Sequence, residues 1–161
     1  MGRVLGALRE GLGRFFGTRA GAWVARSLVL PLDRLVHRLS GGRLLVADIA
    51  FPTLVLTTTG ARSGQPRSTP LIYMRAGRAF VVIASNYGDA RHPAWYHNLR
   101  ANPACTVTVG GRALSCVARE AEGAEREELW RRAERLYAGY RAYQASAGGR
   151  RIPVIVLEPT G

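Results

Sequence analysis

Two different periods divide the chain. Up to about residue 40, apolar residues recur at helical spacing: Val4, Leu8, Leu12 and Phe15-Phe16, then Trp23, Leu28, Leu32, Leu35, Val36 and Leu39 beyond the Gly17 to Gly21 interruption. The pattern predicts two amphipathic helices, the second kinked or broken at Pro31. From Leu44 the period shortens. LLVADIAF (44–51), TLVLTTT (53–59), RSTPLIYMR (67–75) and AFVVIAS (79–85) read as strands, the last an unbroken apolar run suited to a central position. A short helix is expected after Pro93 and ends at Asn102-Pro103. CTVTV and RALSC then form a hairpin about Gly110-Gly111, which sets Cys105 opposite Cys116. A helix over about Ala124 to Ser146, acidic first and basic later as its dipole prefers, precedes a last strand in RIPVIVLEP (151–159).

Six or seven mostly antiparallel strands with few helices imply an α+β chain that is mainly β and forms a small barrel. The change of period divides it into a basic amphipathic helical segment, 1–43, and a barrel domain, 44–161. At 161 residues, the chain fits one core without staples. Its 47% hydrophobic content excludes a disordered chain. Arginines punctuate the N-terminal region, so no uncharged stretch is long enough for a membrane span or a signal peptide, and a cytoplasmic protein is expected. The two cysteines share an apolar face with Val107, Val109 and Leu114, which favours reduced core thiols over a disulfide.

Charge sharpens the picture. All 23 basic residues are arginine, against 11 acids. Eight of them lie between Arg62 and Arg119 with the single acid Asp89, so an anionic partner is expected there. Another eight lie up to Arg43, against Glu10 and Asp33. A basic, amphipathic segment suits the surface of an anionic membrane, and equally a helical pair packed on the domain.

The candidate chemistry centres on TTTGARSGQPR (57–67). Gly60 and Gly64 permit a backbone nest of N–H groups, and Arg62 and Arg67 add forked donors for phosphate or carboxylate. The loop is neither a Walker loop nor GxGxxG. Downstream, Arg67, Thr69, Leu71 and Tyr73 share one strand face, while Pro70 marks a sheet edge or bulge where something other than a strand can lie. Small residues Ala84, Ser85 and Gly88 end a strand beside a helix start, a place that attracts anions. Tyr137, Tyr140 and Tyr143 would stripe one helix face, packed with Trp130 and Leu136 or walling a pocket. The three histidines, His37, His92 and His97, lack the partners of a triad, and no metal site is expected.

Taken in order, TTTG-x-R-SG-x-P-R-x-x-PL, AS-x-x-G, P-x-WY-x-NL-x-ANP, Y-x-x-Y-x-x-Y and IPV-x-x-LEP resemble the deazaflavin-dependent nitroreductase family, the F420-dependent quinone reductases of actinobacteria, over about residues 53 to 159. The resemblance implies a split β-barrel related to FMN-binding barrels, with coenzyme F420 in a groove. It implies hydride transfer from the reduced deazaflavin to an apolar acceptor, a quinone first, with nitro-aromatic compounds as side substrates. Arg62, Ser63 and Arg67 then match contacts to the phosphate and polyglutamate tail. Thr69 and Pro70 lie along the ring, and Ser85, Asn86, Trp95 and Asn98 line the groove. Tyr137, Tyr140 and Tyr143 close the substrate pocket, with Tyr140 and Ser85 in the catalytic role.

Ala61, Asn86 and Ile72 depart from the family pattern, where a basic residue, a lysine and an aromatic are frequent. The alternatives are an FMN- or haem-binding barrel, an F420 carrier without turnover, and a nucleic-acid module. The last is disfavoured because few aromatics interleave with the basic strands.

Overall fold

The computed structural model describes residues 51–161, together with positions 11, 18–24, 27, 28, 32, 35 and 36. Helix α1 (Arg19–Val24) follows Thr18, whose Oγ1 accepts the Gly21 N–H at 3.0 Å. It starts inside the stretch expected to separate two helices. The kink at Pro31, the strand expected over 44–50, His37 and the boundary at residue 43 lie outside the described residues.

Six strands follow: β1 (Thr53–Thr59), β2 (Pro66–Ala76), β3 (Ala79–Ile83), β4 (Ala104–Val109), β5 (Arg112–Glu120) and β6 (Val154–Pro159). All neighbours are antiparallel, and the order β1-β2-β3-β6-β5-β4 closes into a barrel. This is the split-barrel architecture that the resemblance implies. The β4–β5 hairpin turns at Gly110-Gly111 in the expected register, with Cys105 opposite Cys116. Both thiols are free and buried, and burial, then the neighbouring Cys116, pushes the Cys105 thiol up to about 12.

Alternation divides the apolar residues between two cores. Leu54, Leu56, Phe80, Val82, Val107, Ile155 and Leu157 fill the barrel, where Trp95, Tyr96 and Leu99 of α2 (Ala94–Ala101) join them. The opposite faces of β3 and β6 carry Val81, Ile83, Val154 and Val156, which pack against α3 (Gly123–Leu136) and α4 (Gly139–Ser146). Both faces of β3 are therefore covered, which is why its apolar run is unbroken. Full burial of residues such as Leu54, Leu56 and Phe80 contributes about 1.5–3 kcal/mol each.

The single helix expected over 124–146 is two. Tyr137 adopts extended backbone (φ −142°, ψ 101°) and ends α3. Its ring folds over Gly139, where an added Cβ would meet Tyr137 ring atoms at 2.5 Å. Only glycine leaves that ring its place, so the break is written at position 139, and Tyr137 belongs to the linker rather than to a helical stripe. Trp130 of α3 does pack against this cluster, as expected.

Candidate functional site

The β1–β2 ladder runs the full length from Thr53↔Ile72 to Thr59↔Pro66, but the β2–β3 ladder covers only Tyr73↔Val82 to Ala76↔Ala79. Among the described residues, 66–72 therefore have no strand on the β3 side. Tyr73 sends its N–H to Pro52 O on the β1 side at 3.0 Å. Strand alternation then turns positions 66, 68, 70 and 72 towards the open edge. Pro66 and Pro70 have no N–H to offer there, which protects the edge from another strand. The inference drawn from Pro70 alone holds, and Pro66 doubles it.

The β1–β2 connection forms a tight cradle at one end of this edge. Gly60 N donates to Gln65 O and Gly64 N to Gly60 O, both at 2.8 Å, and Gly64 has a positive φ of 65°. Ser63 Oγ accepts the Gln65 N–H at 3.3 Å, so Ser63 shapes the loop it sits in. Asn98 of α2, 8% exposed, ties the loop down: Oδ1 accepts the Ala61 N–H at 2.9 Å and Nδ2 donates to Thr58 Oγ1 at 3.0 Å. Arg62 and Arg67 are exposed at this loop, and among the described residues neither has an acidic partner. The N–H groups of Gly60, Ala61, Gly64 and Gln65 are thus spent within the protein, so the loop is not the open N–H nest expected, and its donors for an anionic tail are the exposed Arg62 and Arg67.

The wider arginine field does not converge here. Arg119 is saturated by Glu125 and Glu158 at 2.7–2.8 Å, and Arg75 and Arg78 donate to the carbonyls of Arg78 and Gly161 at the other end of β2. A hollow of about 240 Å³ lies between α2 and β5–β6, with Arg100, Arg119 and Glu120 in its wall. Glu120 accepts the Tyr96 hydroxyl at 2.8 Å and Arg119 is already paired, so the hollow offers little free binding chemistry.

Beyond β3, Ser85 leads into a 3-10 turn, Asn86–Gly88. Asn86 (φ 48°), Tyr87 (φ 54°) and Gly88 (φ 73°) are all left-handed, which is costly for the first two. Asn86 Nδ2 donates to Arg91 O at 2.9 Å, closing the loop. At Gly88 a Cβ would lie 2.0 Å from Ser146 Oγ, so α4 approaches the turn backbone directly. No motif points to Arg150, which hydrogen-bonds the carbonyls of Ala84, Ser85 and Asp89.

The tyrosines form a buried wall on the other flank. Tyr137 and Tyr143 share a hydroxyl–hydroxyl bond at 2.9 Å, and Tyr143 meets the Tyr87 ring edge-on at 6.1 Å. Tyr140, 5% exposed, contacts Trp130, Tyr137 and Tyr143 through its ring. Its hydroxyl has no hydrogen-bond partner among the described residues. Burial pushes the Tyr137 and Tyr140 phenols well above the usual range, so both stay neutral. Ile72 of β2 packs against this cluster, which sets the wall beside the open edge at Pro70.

Strand alternation puts Thr69 on the barrel face with Leu71 and Tyr73, and Pro70 on the face of Ile72, which packs against the tyrosines, while Arg62, Ser63 and Arg67 lie at the loop end of β2. Trp95, 5% exposed, packs inside the barrel, and Asn98 acts through the loop it holds.

A split barrel with two exposed arginines on its β1–β2 loop, an open strand edge among the described residues and a tyrosine cluster fits a coenzyme-binding oxidoreductase class. The model of the family described as F420H(2)-dependent quinone reductase matches residues 33–159, and the chain belongs to that family. It is 40% identical over 142 residues to an F420H(2)-dependent quinone reductase of Mycobacterium tuberculosis, covering 84% of this chain and 95% of the relative. The solved structure of an F420-H2 dependent reductase (FDR-A) is 42% identical, with TM-score 0.61, over 66% of this chain and 94% of that one. A second solved structure, described as a domain-swapped dimer, is 35% identical, with TM-score 0.64, over 85% of this chain and 98% of the other.

Proposed function

We propose that the chain is an F420-dependent quinone reductase whose coenzyme lies along the open edge of β2, with the acceptor against the tyrosine wall. The observation that carries this reading is β2, which among the described residues is half unpaired, flanked at one end by Arg62 and Arg67 without acidic partners and along one side by a buried phenol without a hydrogen-bond partner. When bound, the reduced deazaflavin supplies a hydride from its C5 to the acceptor.

The chain's own residues bind and orient. Arg62 and Arg67 donate to the phosphate and carboxylates of the tail, and Asn98 keeps their loop in shape before the ligand arrives. The Tyr140 hydroxyl donates to the acceptor oxygen as negative charge develops there. Since burial holds that phenol neutral, it acts as a hydrogen-bond donor rather than as an acid that ionises. The half-buried Ser85 hydroxyl assists at the same oxygen. Quinones are the primary acceptors and nitro-aromatic compounds side substrates, because a flat apolar wall accepts either.

The test is titration with F420 and separately with FMN, followed by addition of menadione to the reduced complex while absorbance near the oxidised deazaflavin band is recorded. Selective F420 binding and acceptor-dependent oxidation above the protein-free rate are expected. Tight FMN binding without F420 preference would overturn the reading.

The basic segment 1–43 holds the protein on the inner face of an anionic plasma membrane, where apolar quinones reside. Exposure of Leu28, Leu32 and Leu35 at 61%, 47% and 53% supports this, as does the arginine content. No helix among the described residues is long and apolar enough to cross a membrane. Flotation with phosphatidylglycerol vesicles should be lost on deleting residues 1–40, and unchanged flotation would sink the idea.

A further inference from the structure

We propose that Arg150 is the positioning residue for Ser85: its guanidinium holds the strained turn after β3 in the one geometry that aims Ser85 into the groove. The inference rests on the F420-dependent reading of that groove. Pairing of β3 with β6 ends at Ile83↔Val154; Ala84 N–H still reaches Pro153 O at 3.0 Å, but Pro153 has no N–H to return to the Ala84 carbonyl. Arg150 supplies the missing donor. Its Nη1 donates to Ala84 O at 3.1 Å and its Nη2 to Ser85 O at 2.9 Å and Asp89 O at 2.8 Å, with Nε also reaching Asp89 O at 3.2 Å. One planar fork thus bridges both ends of the left-handed Asn86–Gly88 turn.

Two consecutive left-handed non-glycine residues persist only where their surroundings over-determine them. Within the turn the Gly88 N–H donates to Ser85 O at 3.0 Å and the Asp89 N–H to Asn86 O at 3.1 Å, and Asn86 Nδ2 donates to Arg91 O at 2.9 Å. The guanidinium adds a constraint from outside that spans the turn, from Ala84 and Ser85 at its start to Asp89 at its end. A further contact fixes its orientation: Nη1 lies 3.2 Å from His92 Nδ1, and since a guanidinium only donates, that ring nitrogen accepts.

Arg150 is itself anchored to the tyrosine helix. Its N–H donates to Ala147 O at 3.2 Å, and its carbonyl accepts from Gln144 Nε2 at 2.7 Å. Ser146 Oγ also donates to Gly88 O at 3.2 Å. The turn bearing Ser85 and the helix bearing Tyr140 are therefore fixed to one another through this residue. A lysine cannot reproduce the fork, because its three donors spread from a single nitrogen.

The experiment measures Arg150→Met and Arg150→Lys alone and in a Ser85→Ala background, with reduced F420 and menadione. Either single variant should lower kcat by about 100-fold, the scale of a small misplacement at a reacting centre, without weakening F420 binding. In the Ser85→Ala background neither should cause a further loss, because both changes remove the same contribution. Amide exchange at Gly88 and Asp89 should rise by about tenfold or more in both variants, while β3 amides keep their protection.

Arg150→Gln serves the same cycle should the other variants not accumulate as folded protein. Wild-type turnover in the single variants, or losses that multiply with Ser85→Ala, would overturn the proposal. Absence of F420-dependent turnover in the wild type would remove the reading beneath it. The exchange data distinguish the two failures, since they report whether Arg150 holds the turn independently of any reaction.

Discussion

Replacing Tyr140 by phenylalanine removes one oxygen that has no hydrogen-bond partner among the described residues. The ring keeps its contacts with Trp130, Tyr137 and Tyr143, at centroid distances of 6.3, 5.0 and 6.4 Å, so packing is preserved. A buried hydroxyl that makes no hydrogen bond costs about 1–3 kcal/mol of desolvation, and its loss should leave stability unchanged or raise it by up to about 1 kcal/mol. Activity should move the other way. Loss of one donor aimed at a developing oxyanion lowers kcat by about 10²-fold, while the affinity for F420 holds. Urea unfolding gives the first quantity and oxidation of reduced F420 by menadione the second. A Tyr140→Phe protein destabilised by more than about 1 kcal/mol would mean that the hydroxyl has a structural partner, and unchanged kcat would mean that it does not meet the acceptor.

Arg62→Met and Arg67→Met should each weaken F420 binding by about fivefold, a charge-assisted bond discounted for solvent exposure, and each should flatten its salt dependence. Equal affinity at low and high salt in the wild type would refute a tail contact. Asn98→Ala loses the bonds to Ala61 N and Thr58 Oγ1 and should cost about 2–3 kcal/mol in urea unfolding, with weaker F420 binding in the remaining folded protein. Destabilisation with wild-type affinity would free the loop from Asn98. His92 has its pKa lowered, first by burial and then by the Arg150 charge, from 6.5. The unfolded chain therefore binds a proton below about pH 6.5 that the folded protein resists, so stability should fall as pH drops through that window. Arg150, His97, Glu120 and Arg100 all act on the ring, and His92→Gln should remove part of the slope. Identical slopes in the two proteins would count against it.

The strands were legible because each carries its own signal: a period of two, a Gly-Gly turn that fixes the β4–β5 register, and an unbroken run in the doubly covered β3. Pro70 announced an open edge because a proline can only sit where no ladder bond is needed. The break between α3 and α4 was harder to see. It depends on the space that the Tyr137 ring takes over Gly139, a contact between neighbours that no periodicity records. Arg150 was illegible for a different reason. Its partners at 84, 85 and 89 are main-chain carbonyls more than sixty residues away, and carbonyls leave no mark on side-chain identity. Likewise the arginine count between 62 and 119 suggested one field, yet strand geometry sends Arg75 and Arg78 to the far end of β2 and Glu125 and Glu158 neutralise Arg119.

The most direct test of the groove is a hydrogen-exchange footprint of reduced F420 on the wild-type protein. Slower exchange on binding is expected at the amides of 61–65, at Ser68 and Ile72 on the open edge of β2, and at 85–89, with no change along β5. Protection confined to Tyr96, Leu99 and the β5 residues around the α2 hollow, with the 61–65 loop unaffected, would contradict it.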